Sequence, residues 1–194
     1  MTTNYAGVNG IKMYYEIHGE GKPLVLIHGG GSTIETNWAN ILPLLAKHFN
    51  VIAVEMQAHG HTSDRDAPET FEQDADDIAA LLKHLHISKA YIMGFSNGGS
   101  TTLQVAIRHP EIAEKIVVAS TAYLREGFIP GFFTMMENAR LENMPQPLQA
   151  AFLKINNDHI ALQNMHDKDA NRMRAFKDWK DNDLESIKAP CLII

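Results

Sequence analysis

A single cysteine, Cys191, stands among 194 residues, so no disulfide can form within the chain and a reducing compartment, by default the cytoplasm, is expected. Long apolar runs are missing as well. None approaches the roughly 18 residues of a membrane span, and no N-terminal stretch joins a basic segment to an apolar core, so no membrane association is expected. Positive charge is scarce, with 17 Lys and Arg against 23 Asp and Glu and a net charge of −6. A nucleic-acid partner, which would ask for a basic face, is therefore not expected. Internal repeats and low-complexity tracts are also absent, which excludes solenoid and fibrous architectures.

What is present is an ordinary globular composition, 45% hydrophobic and 21% charged. A chain of this size can bury roughly 70% of its unfolded surface, so it needs neither metal nor disulfide to fold. Tyr5–Val8 and Ile11–Ile17 flank Asn9-Gly10, the preferred two-residue hairpin turn. Apolar runs at 24–27, 51–55, 90–95, 116–119 and 191–194 read as buried strands. Between them Trp38, Ile41, Leu42 and Leu45 recur at helical spacing, with Thr36 or Asn37 as cap and Pro43 in the first turn or at a kink. Thr70 and Gln73 have capping-box spacing before a helix whose Ala75, Ile78, Leu82 and Leu85 share one face. Glu72, Asp74, Asp76 and Asp77 crowd its first turns. Carboxylates there are favoured by the helix dipole, by about 0.3–1 kcal/mol each, so they are read as structural and no metal site is assigned. Strand and helix alternate from 23 to 120, which predicts an α/β fold: a mostly parallel sheet flanked by helices.

Two short motifs carry chemistry. Gly94-Phe95-Ser96-Asn97-Gly98-Gly99 follows one strand and opens a helix that Pro110 stops. A serine in so tight a strand-to-helix turn projects its hydroxyl outward, and Gly94 and Gly98 remove side chains that would collide across the bend. The second motif, His28-Gly29-Gly30-Gly31, follows strand 24–27. No Gly-Lys-Ser/Thr and no Gly-x-Gly-x-x-Gly pattern accompanies it, so neither a phosphate loop nor a dinucleotide site is indicated. A glycine run with exposed amides suits stabilisation of the anion that develops in acyl transfer. Both motifs fall at carboxyl ends of parallel strands, where such sheets bind ligands.

Residues 122–184 break the alternation. They hold five of the nine methionines (Met135, Met136, Met144, Met165, Met173), with Phe128, Phe132, Phe133, Phe152, Phe176 and Trp179, and Pro130, Pro145 and Pro147 between what read as three or four short helices. The expected organisation is a core of 1–121 plus 185–194 with a helical lid at 122–184. Its methionines would adapt to apolar ligands.

Together these residues resemble the α/β-hydrolase superfamily, in its lidded serine esterase and C–C hydrolase-like branch. The matching segments are 28–31, 51–63, the elbow 94–99, the helix end Arg108-His109-Pro110-Glu111, and Ala189-Pro190-Cys191-Leu192-Ile193-Ile194. The resemblance implies Ser96 as nucleophile, with the N–H groups of Asn97 and of Gly30 or Gly31 as the oxyanion hole. It implies no metal or organic cofactor, and a small hydrophobic acyl-type substrate cleaved at an ester or at a C–C bond beside a carbonyl. In such enzymes the catalytic acid follows the strand matching 191–194, and the histidine base comes one strand later. Both positions, with a last strand and two helices, fall after Ile194, so weak activity at most is expected of residues 1–194. An open sheet edge is expected to invite a homodimer. One departure is Glu55-Met56-Gln57-Ala58, where relatives carry Asp-x-Arg-Gly. Among the histidines, His28 is read as bracing the glycine loop, His109 lies a full helix away from Ser96, and His159 and His166 belong to the lid. A small-molecule sensor on the same scaffold is the alternative function.

Overall fold

Asn9 and Gly10 take φ of 43° and 87°, the paired positive values of the tight turn that matches strand twist. They join β1 (Thr2–Val8) to β2 (Ile11–His18) with Val8 opposite Ile11. From this hairpin the computed structural model, which describes residues 2–194, continues through β3 (Lys22–Ile27), β4 (Phe49–Val54), β5 (Ala90–Phe95), β6 (Ala113–Ala119) and β7 (Cys191–Ile193). The seven strands form one mixed sheet in the order β1-β2-β4-β3-β5-β6-β7. The hairpin joins antiparallel, and every pairing from β4 to β7 is parallel. The fold is α/β, as the alternation predicts.

The two sheet faces follow from alternating side chains. Val25 and Ile27 of β3 join Ile52, Val54 and Ile92 on the face covered by α3 (Phe71–His84) and α4 (Asn97–Arg108). Leu24 and Leu26 join Val51 and Ala53 on the opposite face, beneath Ile34, Trp38 and Leu42. The helix expected around Trp38 is in fact two, α1 (Ile34–Trp38) and α2 (Leu42–Leu45). Pro43 has no N–H to give to a continuous helix, so it sits in the first turn of the second. The cap is Thr33: its Oγ1 accepts from Thr36 N at 3.2 Å, and Thr36 Oγ1 accepts from Thr33 N at 2.7 Å.

Thr70 caps α3 through Gln73 N at 3.0 Å, yet the reciprocal half of the capping box is missing because the Gln73 amide goes to Asp77. The acidic residues of α3 also correct a reading. Asp74 meets Arg172 and Asp76 chelates Arg108 with both oxygens, while Asp77 pairs with Arg65. Specific cations, more than the helix dipole, account for these three.

The segment between β6 and β7 holds α5 (Phe132–Glu137), α6 (Gln146–Asn156), α7 (His159–Arg174) and α8 (Asp181–Glu185). Two apolar clusters seat it. Phe152, Leu162 and Met165 pack on Ala58, and Met173 and Phe176 pack on Phe71. At the far edge, Leu192 and Ile193 of β7 are exposed.

Candidate active site

β3 and β5 are neighbouring parallel strands, with Ile27 opposite Gly94, so the loops that leave their carboxyl ends lie side by side. An ideal Cβ on Gly29 would stand 3.3 Å from the Ser96 Cβ, which measures how closely the glycine loop passes the elbow. Ser96 has φ 53° and ψ −119°, a backbone region suited to glycine. The conformation is held by neighbours: Ser96 N donates to Ala119 O at 2.9 Å, and Ser96 O accepts from Gly99 N at 2.8 Å and Ser100 N at 3.1 Å. The flanking glycines are obligatory. A Cβ on Gly94 would lie 1.9 Å from Gly98 O, and one on Gly98 would lie 2.2 Å from Ile27 O.

Ser96 and Asn97 share with Gly30 and Gly31 the lining of a cavity of about 430 Å³, roofed by the segment between β6 and β7 through Phe132, Met136, Met144, Leu148, Met165 and Met173. The cavity is predominantly apolar, of the size and character of small-molecule sites. Among the described residues, the amides of Gly30 and Asn97 have no hydrogen-bond acceptor. Gly29 N, by contrast, donates to Asn37 Oδ1 at 2.8 Å, and Gly31 N to Asp169 Oδ2 at 2.6 Å. The glycine loop thus presents one free amide, Gly30, between two occupied ones. A hydroxyl beside two uncommitted N–H donors is suited to acyl chemistry, in which negative charge gathers on a carbonyl oxygen.

His28 does brace the loop. Its Nδ1 donates to Gly29 O at 2.7 Å, leaving Nε2 to accept from Met56 N at 3.0 Å. Burial, and then the charge of nearby His59, hold its pKa down at about 3, so it stays neutral. His59 lies with its ring centroid 4.9 Å from that of His28 and behaves oppositely. Burial alone would lower its pKa, but the Asp169 carboxylate at 3.0 Å raises it to about 9.

Asp169, Arg172 and His59 form a cluster that no sequence motif announces. Asp169 lies on α7 and Arg172 one turn on, where the spacing reads as an ordinary polar stripe. Asp169 Oδ1 accepts from Asn97 Nδ2 at 3.1 Å and also pairs with Arg172, while Oδ2 meets Gly31 N and His59. Although burial would raise its pKa, His59 and Arg172 hold the Asp169 carboxyl far below the usual range. Arg172 in turn reaches Asp74 at 2.7 Å. Glu69 sits beside it, its Oε2 3.5 Å from Arg172 Nη2 but with no hydrogen bond to either oxygen, and burial pushes its carboxyl up to about 8.

The loop at 55–58 is held by side-chain hydrogen bonds, although Gln57 Oε1 is buried without one. Glu55 Oε2 accepts from His61 N at 2.6 Å and His61 Nδ1 at 2.9 Å, while Gln57 Nε2 donates to Asp64 at 2.8 Å. Of the remaining histidines, His109 pairs with Asp76, and His166, which lines the cavity, pairs with Asp167. Among the described residues no histidine is hydrogen-bonded to the Ser96 hydroxyl, and no cluster of His, Cys, Asp and Glu has the arrangement of a metal site.

A family model described as alpha/beta hydrolase fold matches residues 22–179. Among curated proteins, the chain is 34% identical over 123 residues to 2-hydroxy-6-oxo-6-(2'-aminophenyl)hexa-2,4-dienoic acid hydrolase of Metapseudomonas resinovorans, covering 62% of this chain and 42% of that protein. It is 38% identical over 117 residues to 2-hydroxymuconate semialdehyde hydrolase of Pseudomonas sp. strain CF600, covering 58% and 41%. The matched region therefore spans about two fifths of the length of these relatives. Among solved structures, the enol-lactonase from Burkholderia xenovorans LB400 superposes with a TM-score of 0.73 at 25% identity, over 97% of this chain and 79% of that one. The 2-hydroxy-6-oxo-6-phenylhexa-2,4-dienoate hydrolase from Rhodococcus sp. strain RHA1 reaches 0.80 at 20% identity, over 99% and 79%, a likeness of fold. No helix among the described residues is long and apolar enough to cross a membrane.

Proposed function

The chain belongs to the alpha/beta hydrolase fold family, and from that premise we propose that it is part of a serine hydrolase in which Ser96 is the nucleophile and the N–H groups of Gly30 and Asn97 are the oxyanion hole. The observation that carries this reading is the backbone of Ser96, held at φ 53° beside those two free amides. Glycine would relieve that conformation, so a serine kept there argues for a use of its hydroxyl. Gly31 is the weaker candidate donor because its N–H already serves Asp169.

The substrate proposed is an ester, or a ketone cleaved at the C–C bond beside its carbonyl, with a small or medium apolar acyl group in the cavity beneath a lid formed by 122–184. Ser96 Oγ attacks the carbonyl carbon and its proton passes to a base. The resulting oxyanion takes the Gly30 and Asn97 hydrogen bonds, the leaving group departs with a proton, and water then releases the acyl group. Since no histidine among the described residues is bonded to Ser96, the 194-residue protein is expected to be slow, retaining roughly 10³–10⁴ over water from oxyanion stabilisation and binding.

Two assays test the reading on the 194-residue protein. Hydrolysis of p-nitrophenyl butyrate is expected to be weak and, resting on the oxyanion hole and binding, to change little in Ser96→Ala, whereas a fluorophosphonate is expected to label slowly at Ser96 alone. Labelling that survives Ser96→Ala, or fast turnover by the 194-residue protein, would defeat it. That no histidine among the described residues is hydrogen-bonded to the Ser96 hydroxyl favours a second reading, a non-catalytic small-molecule sensor. Thermal stabilisation by apolar carbonyl compounds with no Ser96 labelling at all would favour that one.

A further inference from the structure

A glycine run cannot hold itself in one shape, because each residue has little conformational preference of its own. The loop at 29–31 must therefore be fixed from outside, and the structure shows how. Asn37 takes the Gly29 amide on one side and Asp169 takes the Gly31 amide on the other, at 2.8 and 2.6 Å. The same carboxylate accepts from Asn97 Nδ2 at 3.1 Å. One side chain thus bridges the two backbone segments that supply the proposed oxyanion donors, the residue after Gly30 and Asn97 itself. Asp169 is carried by neither segment but by α7, in the proposed lid.

We propose that Asp169 is a positioning residue that ties the glycine loop to the nucleophile elbow, so that the Gly30 and Asn97 amides converge only while α7 is seated on the core. The inference rests on the serine-hydrolase reading above. A carboxylate this near a developing oxyanion would oppose it if left bare. His59 and Arg172 flank Asp169 and neutralise it, and Asp74 backs Arg172. The buried ion cluster is therefore what allows an acid to serve as the clamp.

Phenylboronic acid, whose tetrahedral adduct on a serine oxygen sets an oxygen against oxyanion donors, is titrated calorimetrically onto the 194-residue protein, Asp169→Asn and Ser96→Ala. Asp169→Asn is expected to bind about tenfold more weakly or worse, because a charge-assisted hydrogen bond to the loop is lost. A merely structural Asp169 would lower the melting temperature and leave the boronate affinity of the folded protein unchanged. Affinity equal to or tighter than wild type overturns the proposal. A second measurement needs no variant. Coupling is reciprocal, so boronate must slow hydrogen exchange at the Gly31 amide and across 165–172 in the wild-type protein. Exchange there that ignores the ligand overturns the proposal even if Asp169→Asn fails to fold. Boronate that binds wild type and Ser96→Ala alike removes the serine-hydrolase reading itself, and this inference with it.

Discussion

Replacing Ser96 by glycine should make the protein more stable while removing its chemistry. The backbone at φ 53° and ψ −119° suits glycine, and strain of this kind costs a side-chain-bearing residue about 1–3 kcal/mol. Glycine recovers that energy but loses about 0.5–1 kcal/mol through the greater freedom of its unfolded chain. The net gain is about 1 kcal/mol, which in a domain of this size raises Tm by about 2–4 °C. Ser96→Ala is the control. It keeps the Cβ and therefore the strain, so it should melt close to wild type while losing the hydroxyl equally. Calorimetry of the three proteins under one buffer decides the matter. If glycine and alanine melt together, or glycine lower, the serine is not strained and the argument that its conformation is maintained for use fails.

Gly98→Ala places a Cβ 2.2 Å from Ile27 O, an overlap with backbone that cannot swing away. About 4 kcal/mol or more of stability should be lost, seen as insoluble expression or a collapsed melting curve, and a well-folded variant would contradict the elbow geometry. Phe152→Ala empties a site that is 1% exposed and packed on Ala58, Leu162 and Met165, so urea unfolding should show about 3–5 kcal/mol of destabilisation. A loss under about 1 kcal/mol would mean that α6 and α7 are seated by something else. For pH, His59 is raised from its ordinary 6.5 to about 9. Its contribution, up to about 3 kcal/mol, is fully present below pH 6.5 and lost as pH rises through about 9. Glu69, pushed up to about 8, acts in the same sense as pH rises through that value. The urea midpoint should thus fall from pH 7 to 9 and fall less in His59→Gln, whereas a flat or rising wild-type midpoint would refute the assignment of charge. On the acid side His28, lowered to about 3, acts oppositely, and its contribution fades as pH drops from 6.5 toward 3.

The parts of this molecule legible in its sequence are those written in short, fixed spacings. Asn9-Gly10 names its own turn, and Gly94 and Gly98 are needed because backbone atoms within a few residues, and the adjoining strand end at Ile27, leave no room. Alternation of strand and helix then puts the glycine loop and the elbow at one sheet edge without any knowledge of side-chain contacts. The cluster around Asp169 was hidden for the converse reason. Its partners Gly31 and His59 lie 138 and 110 residues away in the chain, and a carboxylate three residues before an arginine on a helix looks the same whether it faces water or the core. The acids of α3 read correctly as structural, but their partners are hidden in the same way, since the cations come from 65, 108 and 172. The break between α1 and α2 was half visible in Pro43, but the cap at Thr33 depends on a reciprocal pair of threonines that periodicity does not register.

The central claim is that the Ser96 oxygen and the amides of Gly30 and Asn97 converge on one point. A crystal structure of the protein after prolonged exposure to an alkyl phosphonate ester tests it most directly. Phosphorus bonded to Ser96 Oγ, with a phosphonyl oxygen about 2.7–3.1 Å from both amide nitrogens, is the expected result. Phosphorus on another residue, or a Ser96 adduct whose oxygen lies in solvent away from Gly30 and Asn97, would contradict it.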